Sequence, residues 1–417
     1  GIPGSPEGHI SGVDLQMNKT TQKFNYHQDI DFKGFETFDI DQKFTRYDHS
    51  EFESNKDFAA VRLAQDIFFI QSKITGLKRE LGAAVQYRLF KAGGFYWTPN
   101  TSESNFSVFG FREKELFGLT GQVSFRGEYS INDPKINKGA IFSNIDGNSV
   151  AMKNFGFLSI SAGLIKSWKN LQFSSTIMRT GRTPGIEDLF SDGPHLGSYS
   201  YEIGNPDLDF EETFGLENSM QYHKDKFFLL LNGFFNKSPN FHQYMKMGNG
   251  YIPGSDWIEW GSGSTGWLYK YQMRGVQTEI SGGEVQMGYK GKTIDITTDL
   301  SFVRGKNISD NDNIAFMPPD KIGLLFSTKS NKHLTGSVRI SKVLDQKNIS
   351  EFETITPGYL LIDLFGSYTF ETERGTHRLV FQVNNLLDET YYNHLSKIKS
   401  IMPESGRSFS LQYRVLL

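Results

Sequence analysis

Residues 182–211 gather one imidazole, His195, with the carboxylates Asp192 and Glu202 and the phenols Tyr199 and Tyr201. A neutral imidazole beside carboxylates is a zinc ligand set, and a single His or Tyr can hold haem iron. His9 beside Glu7 is a second candidate metal-ligating pair, with His242 near Tyr244 and His394 near Tyr391 behind it. None of these histidines has a second one four residues away, so a metal site here must be assembled by folding distant segments together. The competing reading of His195 is a surface-loop histidine that binds nothing. Trp257 and Trp260, with Trp267, lie in a Gly/Ser-rich stretch and could stack on an organic chelate or serve as interfacial and loop-packing aromatics. Catalysis has no foothold: there is no Gly-x-Ser-x-Gly, no phosphate-cradling glycine loop ahead of a helix and no His-Glu-x-x-His. The chain is therefore not expected to be an enzyme or to carry a cofactor, and any metal is expected to be cargo.

The elements that would position these loops are strands. In the last ten residues Phe409, Leu411, Tyr413, Val415 and Leu417 alternate with Ser408, Ser410, Gln412 and Arg414. Period two gives a strand one apolar and one polar face. The same alternation recurs near 11–30, 35–47, 58–72, 79–90, 105–112, 118–131, 154–166, 171–181, 212–223, 227–237, 270–290, 293–303, 320–329, 333–343, 358–371 and 376–386. Within the long segment 270–290, Gly282-Gly283 is expected to mark a bulge.

Composition agrees. The 417 residues include 36 Phe and 18 Tyr, yet mean hydropathy is −0.43, as expected where apolar and polar side chains alternate. The longest apolar run, Phe227 to Leu231, is far below the roughly 18 residues a spanning helix needs. A net charge of −3 gives no electrostatic case for nucleic acid. With no cysteine there is no disulfide framework and no thiolate metal site.

Connection lengths alternate. Short polar turns at 169–170, 224–226, 330–332 and 373–375 are interleaved with long segments near 132–153, 182–211, 238–269, 304–319, 344–357 and 387–407. Short turns on one side and long loops on the other describe an outer-membrane barrel, with the long loops external. The fold class expected is all-β: a transmembrane antiparallel barrel, one unit over 1–417. Roughly seventeen strands is odd where single-chain bacterial barrels are even, so a barrel truncated at its N-terminus is expected.

Three blocks resemble TonB-dependent outer-membrane receptors. The first is Asn384-Asn-Leu-Leu-Asp-Glu-Thr-Tyr-Tyr392, followed by Pro403-Glu-Ser-Gly-Arg-Ser-Phe409. The second comprises Arg179-Thr-Gly-Arg-Thr-Pro184, Glu187-Asp-Leu-Phe190 and Gly204-Asn-Pro-Asp-Leu208, and the third is Arg274-Gly-Val-Gln-Thr-Glu279. Gly1 to His9 and Ser191-Asp-Gly-Pro-His195 further resemble the zinc- and haem-associated branch, although only His9 stands where zinc receptors have a His-rich loop. The resemblance implies about 22 strands around a plug domain, the plug lying outside this chain. It also implies a monomer in outer-membrane lipid, worked by the TonB complex through the missing N-terminal region and importing zinc, haem or a ferric siderophore. It lifts His195, because haem receptors carry a functional histidine between similar motifs. The rival from another class is a passive porin.

Overall fold

The computed structural model describes residues 12–52, 57–94, 98–136, 144–195, 200–247, 257–259, 267–328, 333–351, 353–399 and 402–416. Its first half carries β1 (Asp14–Phe32), β2 (Phe35–Phe52), β3 (Val61–Gly76), β4 (Arg79–Gly94), β5 (Asn100–Leu116), β6 (Leu119–Lys135), β7 (Lys153–Ser167) and β8 (Leu171–Arg182). A five-residue helix α1 (Ile186–Phe190) follows, then β9 (Asp192–His195), β10 (Ser200–Ile203), β11 (Glu211–Lys224), β12 (Phe227–Lys246), β13 (Trp257–Glu259) and β14 (Trp267–Lys290). The last part holds β15 (Ile294–Asn307), β16 (Asp312–Asn313), β17 (Lys321–Thr328), β18 (Leu334–Val343), β19 (Tyr359–Thr372), β20 (Gly375–Asn384) and β21 (Ser408–Leu416).

Among the described residues there are 21 strands, and all belong to one sheet. Four of them, β9, β10, β13 and β16, are short pieces within long connections, and the other seventeen form the wall by antiparallel pairing of neighbours. The wall strands correspond one for one to the alternating segments of the sequence. Among the described residues β1 and β21 do not pair with each other, so the wall has two edges rather than a closed seam.

The β20–β21 register shows how alternation becomes a wall. Leu379, Phe381 and Val383 stand opposite Tyr413, Leu411 and Phe409, while Arg378, Gln382 and Asn384 stand opposite Arg414, Ser410 and Ser408. One face is thus a continuous apolar surface, and apart from the buried Val383 it is largely bare: Leu411 is 73% and Phe409 68% exposed. Such a surface wraps the wall through Val85, Phe106, Val108, Phe125 and Ile160, far more than a water-soluble protein leaves uncovered. It is the lipid face of a barrel.

Gly282-Gly283 is not a bulge. Both glycines pair in unbroken register with β12 and β15, and the shift falls instead between Ser238 and Phe241 of β12. Pro239 lies inside that shift; without an N–H it cannot extend the ladder. The glycines are there for another reason. A Cβ on Gly282 would lie 2.7 Å from ring carbons of Phe234, and one on Gly283 would lie 3.0 Å from Phe302, so these rings occupy the space of the missing side chains.

The buried core lies inside the barrel, under the long connections. Ile186, Leu189 and Phe190 of α1 are completely buried and cluster with Val61, Phe90, Tyr201, Ile203, Leu268 and Met273. The β8–β11 connection therefore folds inward as a small packed unit.

Candidate functional site at the external mouth

The inward unit is built from its polar residues. Asp188 Oδ2 accepts the Gly185 N–H at 3.0 Å, which starts α1, and acidic Glu187 and Asp188 suit the first turn of a helix. The chain then returns over itself, with the Gly204 N–H donating to Ser191 O at 2.7 Å and the Asn205 N–H to Asp188 O at 2.8 Å. A Cβ on Gly204 would sit 2.7 Å from the Leu189 carbonyl carbon, so only glycine permits that approach. Two wall strands hold the helix: Arg88 of β4 donates to Glu187 Oε1 at 3.0 Å and Tyr244 of β12 donates to Glu187 O at 3.0 Å.

Beyond the helix, β9 and β10 pair antiparallel, and β10 lies parallel against β14 with Ser200 opposite Tyr269. This hairpin separates the sequence-predicted residues into two groups. Asp192 and Tyr201 are buried and structural. The Asp192 carboxylate accepts from Asn144 N at 2.8 Å, Asn144 Nδ2 at 2.8 Å, Ile145 N at 3.3 Å and Tyr201 OH at 3.2 Å. They pin the β6–β7 connection onto the hairpin, because a buried carboxylate requires such donors.

His195 and Glu202 form the second group, in a chain of charges. His195 Nδ1 lies 3.4 Å from Glu202 Oε1, and its Nε2 lies 3.7 Å from Glu51 Oε1 at the end of β2. His49 Nε2 is 3.4 Å from the same Glu51 oxygen, and Tyr47 closes that end with its hydroxyl 3.0 Å from His49 Nδ1. At the other end Lys397 Nζ, from the β20–β21 connection, is 2.9 Å from Glu202 Oε1. The chain of contacts links β2 to the last long connection.

Burial lowers the His195 pKa, but the Glu202 hydrogen bond and the charges of Glu202 and Glu51 outweigh it, so the imidazole titrates above its ordinary value of 6.5. Burial raises Glu202, yet His195 and Lys397 outweigh that and bring it from 4.5 to about 2. The raised His195 contributes fully below pH 6.5 and is lost as pH rises through its folded value. The depressed Glu202 contributes fully above pH 4.5 and is lost only as pH falls toward about 2. The hairpin is therefore expected to be held tightest between pH 4.5 and 6.5 and to loosen above that window. Amide exchange at Ser200–Ile203, corrected for the intrinsic rate, should speed up as pH passes above His195's folded pKa; a flat corrected profile would show that the imidazole holds nothing.

Glu7, His9, Tyr199 and Trp260 lie outside the described residues, and Trp257 is described only as backbone, in β13 opposite Tyr269. His242 Nε2 lies 2.8 Å from the Asp209 carbonyl oxygen, and His394 is buried between Thr356 and Glu353. Among the described residues no three His, Asp or Glu side chains stand together as a metal-ligand set.

Sequence reasoning missed the partner residues Glu51 and Lys397 and an adjoining cavity of about 300 Å³. Lys397 is shared between them. The cavity's walls include Lys246, Arg274, Lys397 and Lys399, the rings of Tyr269, Tyr271 and Phe316, and the carboxylates Asp310, Asp312, Glu351 and Glu353. Lys246 Nζ sits 3.8 Å from the Tyr269 ring centre, and Lys397 Nζ 5.1 Å from that of Tyr271. Arg274 pairs with Asp310 at 3.3 Å. The contributing residues are scattered from 243 to 399, and no local spacing announces them.

The comparisons agree with this architecture. Residues 8–386 match the family described as TonB dependent receptor-like, beta-barrel. Among solved structures, the copper transporter OprC superposes with a TM-score of 0.78 at 16% identity, covering 96% of this chain and 66% of its own. The ferric enterobactin receptor PfeA of Pseudomonas aeruginosa, as a mutant, gives 0.61 at 14%, covering 96% and 69%. The FrpB iron transporter of Neisseria meningitidis gives 0.67 at 12%, covering 97% and 64%. The chain thus spans about two thirds of the length of these structures, and identities this low establish the fold alone. The family is one of receptors, not of enzymes. With seventeen antiparallel wall strands, connections of alternating length and a family match over most of its length, the chain belongs to the TonB-dependent receptor β-barrels.

Proposed function

We propose that this barrel is the membrane portion of a bacterial outer-membrane receptor that imports a metal chelate with energy from the TonB system, acting as a monomer around a plug. The cavity at the external mouth carries the reading. Lysine ammonium groups beside tyrosine rings suit an anionic, aromatic chelate, which can stack on the rings while the cations meet its charge; of the carboxylates in the same wall, Asp310 is held by Arg274, and Glu353 by His394 and the Phe316 and Ser350 N–H groups. The similar structures include receptors and transporters for copper, iron and ferric enterobactin, and a haemophore receptor, HasR of Serratia marcescens, in complex with its haemophore and haem. A ferric siderophore and haem both answer that description, and bare zinc does not.

Binding of a ferric catecholate, haem and zinc to the whole receptor tests the proposal. The two chelates are expected to bind more tightly than zinc, and Lys397→Gln to weaken the tighter of them at least tenfold, about 1.4 kcal/mol. Tighter binding of zinc, abolished by His195→Ala, would instead make His195 a metal ligand between Glu51 and Glu202. Uptake that persists without an energised inner membrane would favour the passive porin.

A further inference from the structure

We propose that the lipid face of β4–β7 carries a binding site for a phospholipid of the periplasmic leaflet, with its phosphate between Arg79 and Arg112. The short-turn end of the wall is the periplasmic end. There Arg79, the first residue of β4, stands directly opposite Arg112 of β5. Alternation puts both side chains on the lipid face. In β4, Arg88 points inward to Glu187 of the lumenal unit, so the odd-numbered residues Arg79, Leu81 and Val85 point outward. The register carries that face to Gly110 and Arg112 in β5, Val123 and Phe125 in β6, and Ile160 in β7.

Like charges directly opposite each other in a sheet repel, and a carboxylate nearby ordinarily relieves them. On the lumenal face it does: Lys73 pairs with Glu80, and Lys78 with Glu113 and Glu115. On the lipid face it does not. Arg79 donates to the Lys33 carbonyl at 2.9 Å and lies 5.3 Å from the Phe35 ring centre, neither of which cancels its charge. Among the described residues the Arg112 guanidinium makes no hydrogen bond or ion pair, and Glu36, the outward carboxylate two strands from β4, pairs with neither arginine. From the two cations an open groove of about 380 Å³ runs along the wall, floored by Leu81, Gly110, Val123, Phe125 and Ile160. A paired guanidinium site above an apolar groove at the membrane border matches a phosphate joined to acyl chains, since guanidinium forks bind phosphate oxygens in pairs.

Native mass spectrometry of the whole receptor, titrated with dioleoyl phosphatidylglycerol, tests this. At least one lipid is expected to stay bound, with dioleoyl phosphatidylcholine and dihexanoyl phosphatidylglycerol each retained at least tenfold less. Arg79→Gln with Arg112→Gln is expected to cut retention at least tenfold, and Lys73→Gln on the lumenal face to leave it unchanged. The heat-resistant band on electrophoresis checks that each variant has folded, and Arg112→Lys, which keeps the charge, is expected to retain an intermediate amount. Equal retention by the folded double variant, or displacement of the lipid by inorganic phosphate, would overturn the site.

Discussion

Phe190→Ala is expected to detach the inward-folded β8–β11 unit and to abolish high-affinity ligand binding, while the barrel wall still assembles. Phe190 is completely buried, alongside Ile186 and Leu189 of α1, against wall residues Val61 and Phe90 and the loop residues Tyr201 and Ile203. Removing a buried phenyl ring costs about 3–5 kcal/mol, from lost transfer energy plus the cavity left behind. A 28-residue connection held by one small core and a few polar ties has little stability to spare, so the loss is expected to be local unfolding rather than strain. The ties to Glu187 are one ion pair, from Arg88, and one neutral hydrogen bond, from Tyr244, both at 3.0 Å and worth about 1–2 kcal/mol each, too little to hold the helix alone. Proteolysis of the purified receptor within 182–211, wild type beside variant, reads this directly. Unchanged protease resistance together with unchanged ligand affinity would mean that the cluster does not organise the mouth.

Legibility follows the range of the interactions. Wall strands were readable because alternation is a local consequence of lying between lipid and lumen, and each segment from 11–30 to the last ten residues reports it independently. Loop sorting was readable for the same reason, because turn length is counted along the chain. Helix α1 escaped because five residues are too few to show a helical period, and the motif around Glu187 signals only that something lies there. The bulge was misplaced because two adjacent glycines look like a break in a strand; only the pairing register shows that Phe234 and Phe302 cover them, while Pro239 interrupts the ladder. At the mouth, His195 and Glu202 lie in one segment, but the lysine that holds Glu202 lies 195 residues further along the chain. Nothing in the local sequence around Lys397 distinguishes it from any other loop lysine.

Leu411→Arg is expected to destabilise the folded barrel by about 2–4 kcal/mol, while Gln412→Arg one residue later is mild. The two residues occupy opposite faces of β21. Leu411 stands opposite Phe381 on the bare apolar side and is 73% exposed, whereas Gln412 shares its face with Ser410 and Arg414. Near the middle of the bilayer an outward guanidinium must be dehydrated or must drag water and headgroups inward, and either costs several kcal/mol. At Gln412 the same group enters a polar lumen where Arg378 and Arg414 are already accommodated opposite each other. The extra like charge costs a few tenths of a kcal/mol, an order below the lipid-facing penalty. Urea unfolding of the whole receptor in lipid vesicles separates the two. Equal destabilisation at both positions would mean that the faces do not meet different solvents, and the membrane reading of the alternating strands would fall with it.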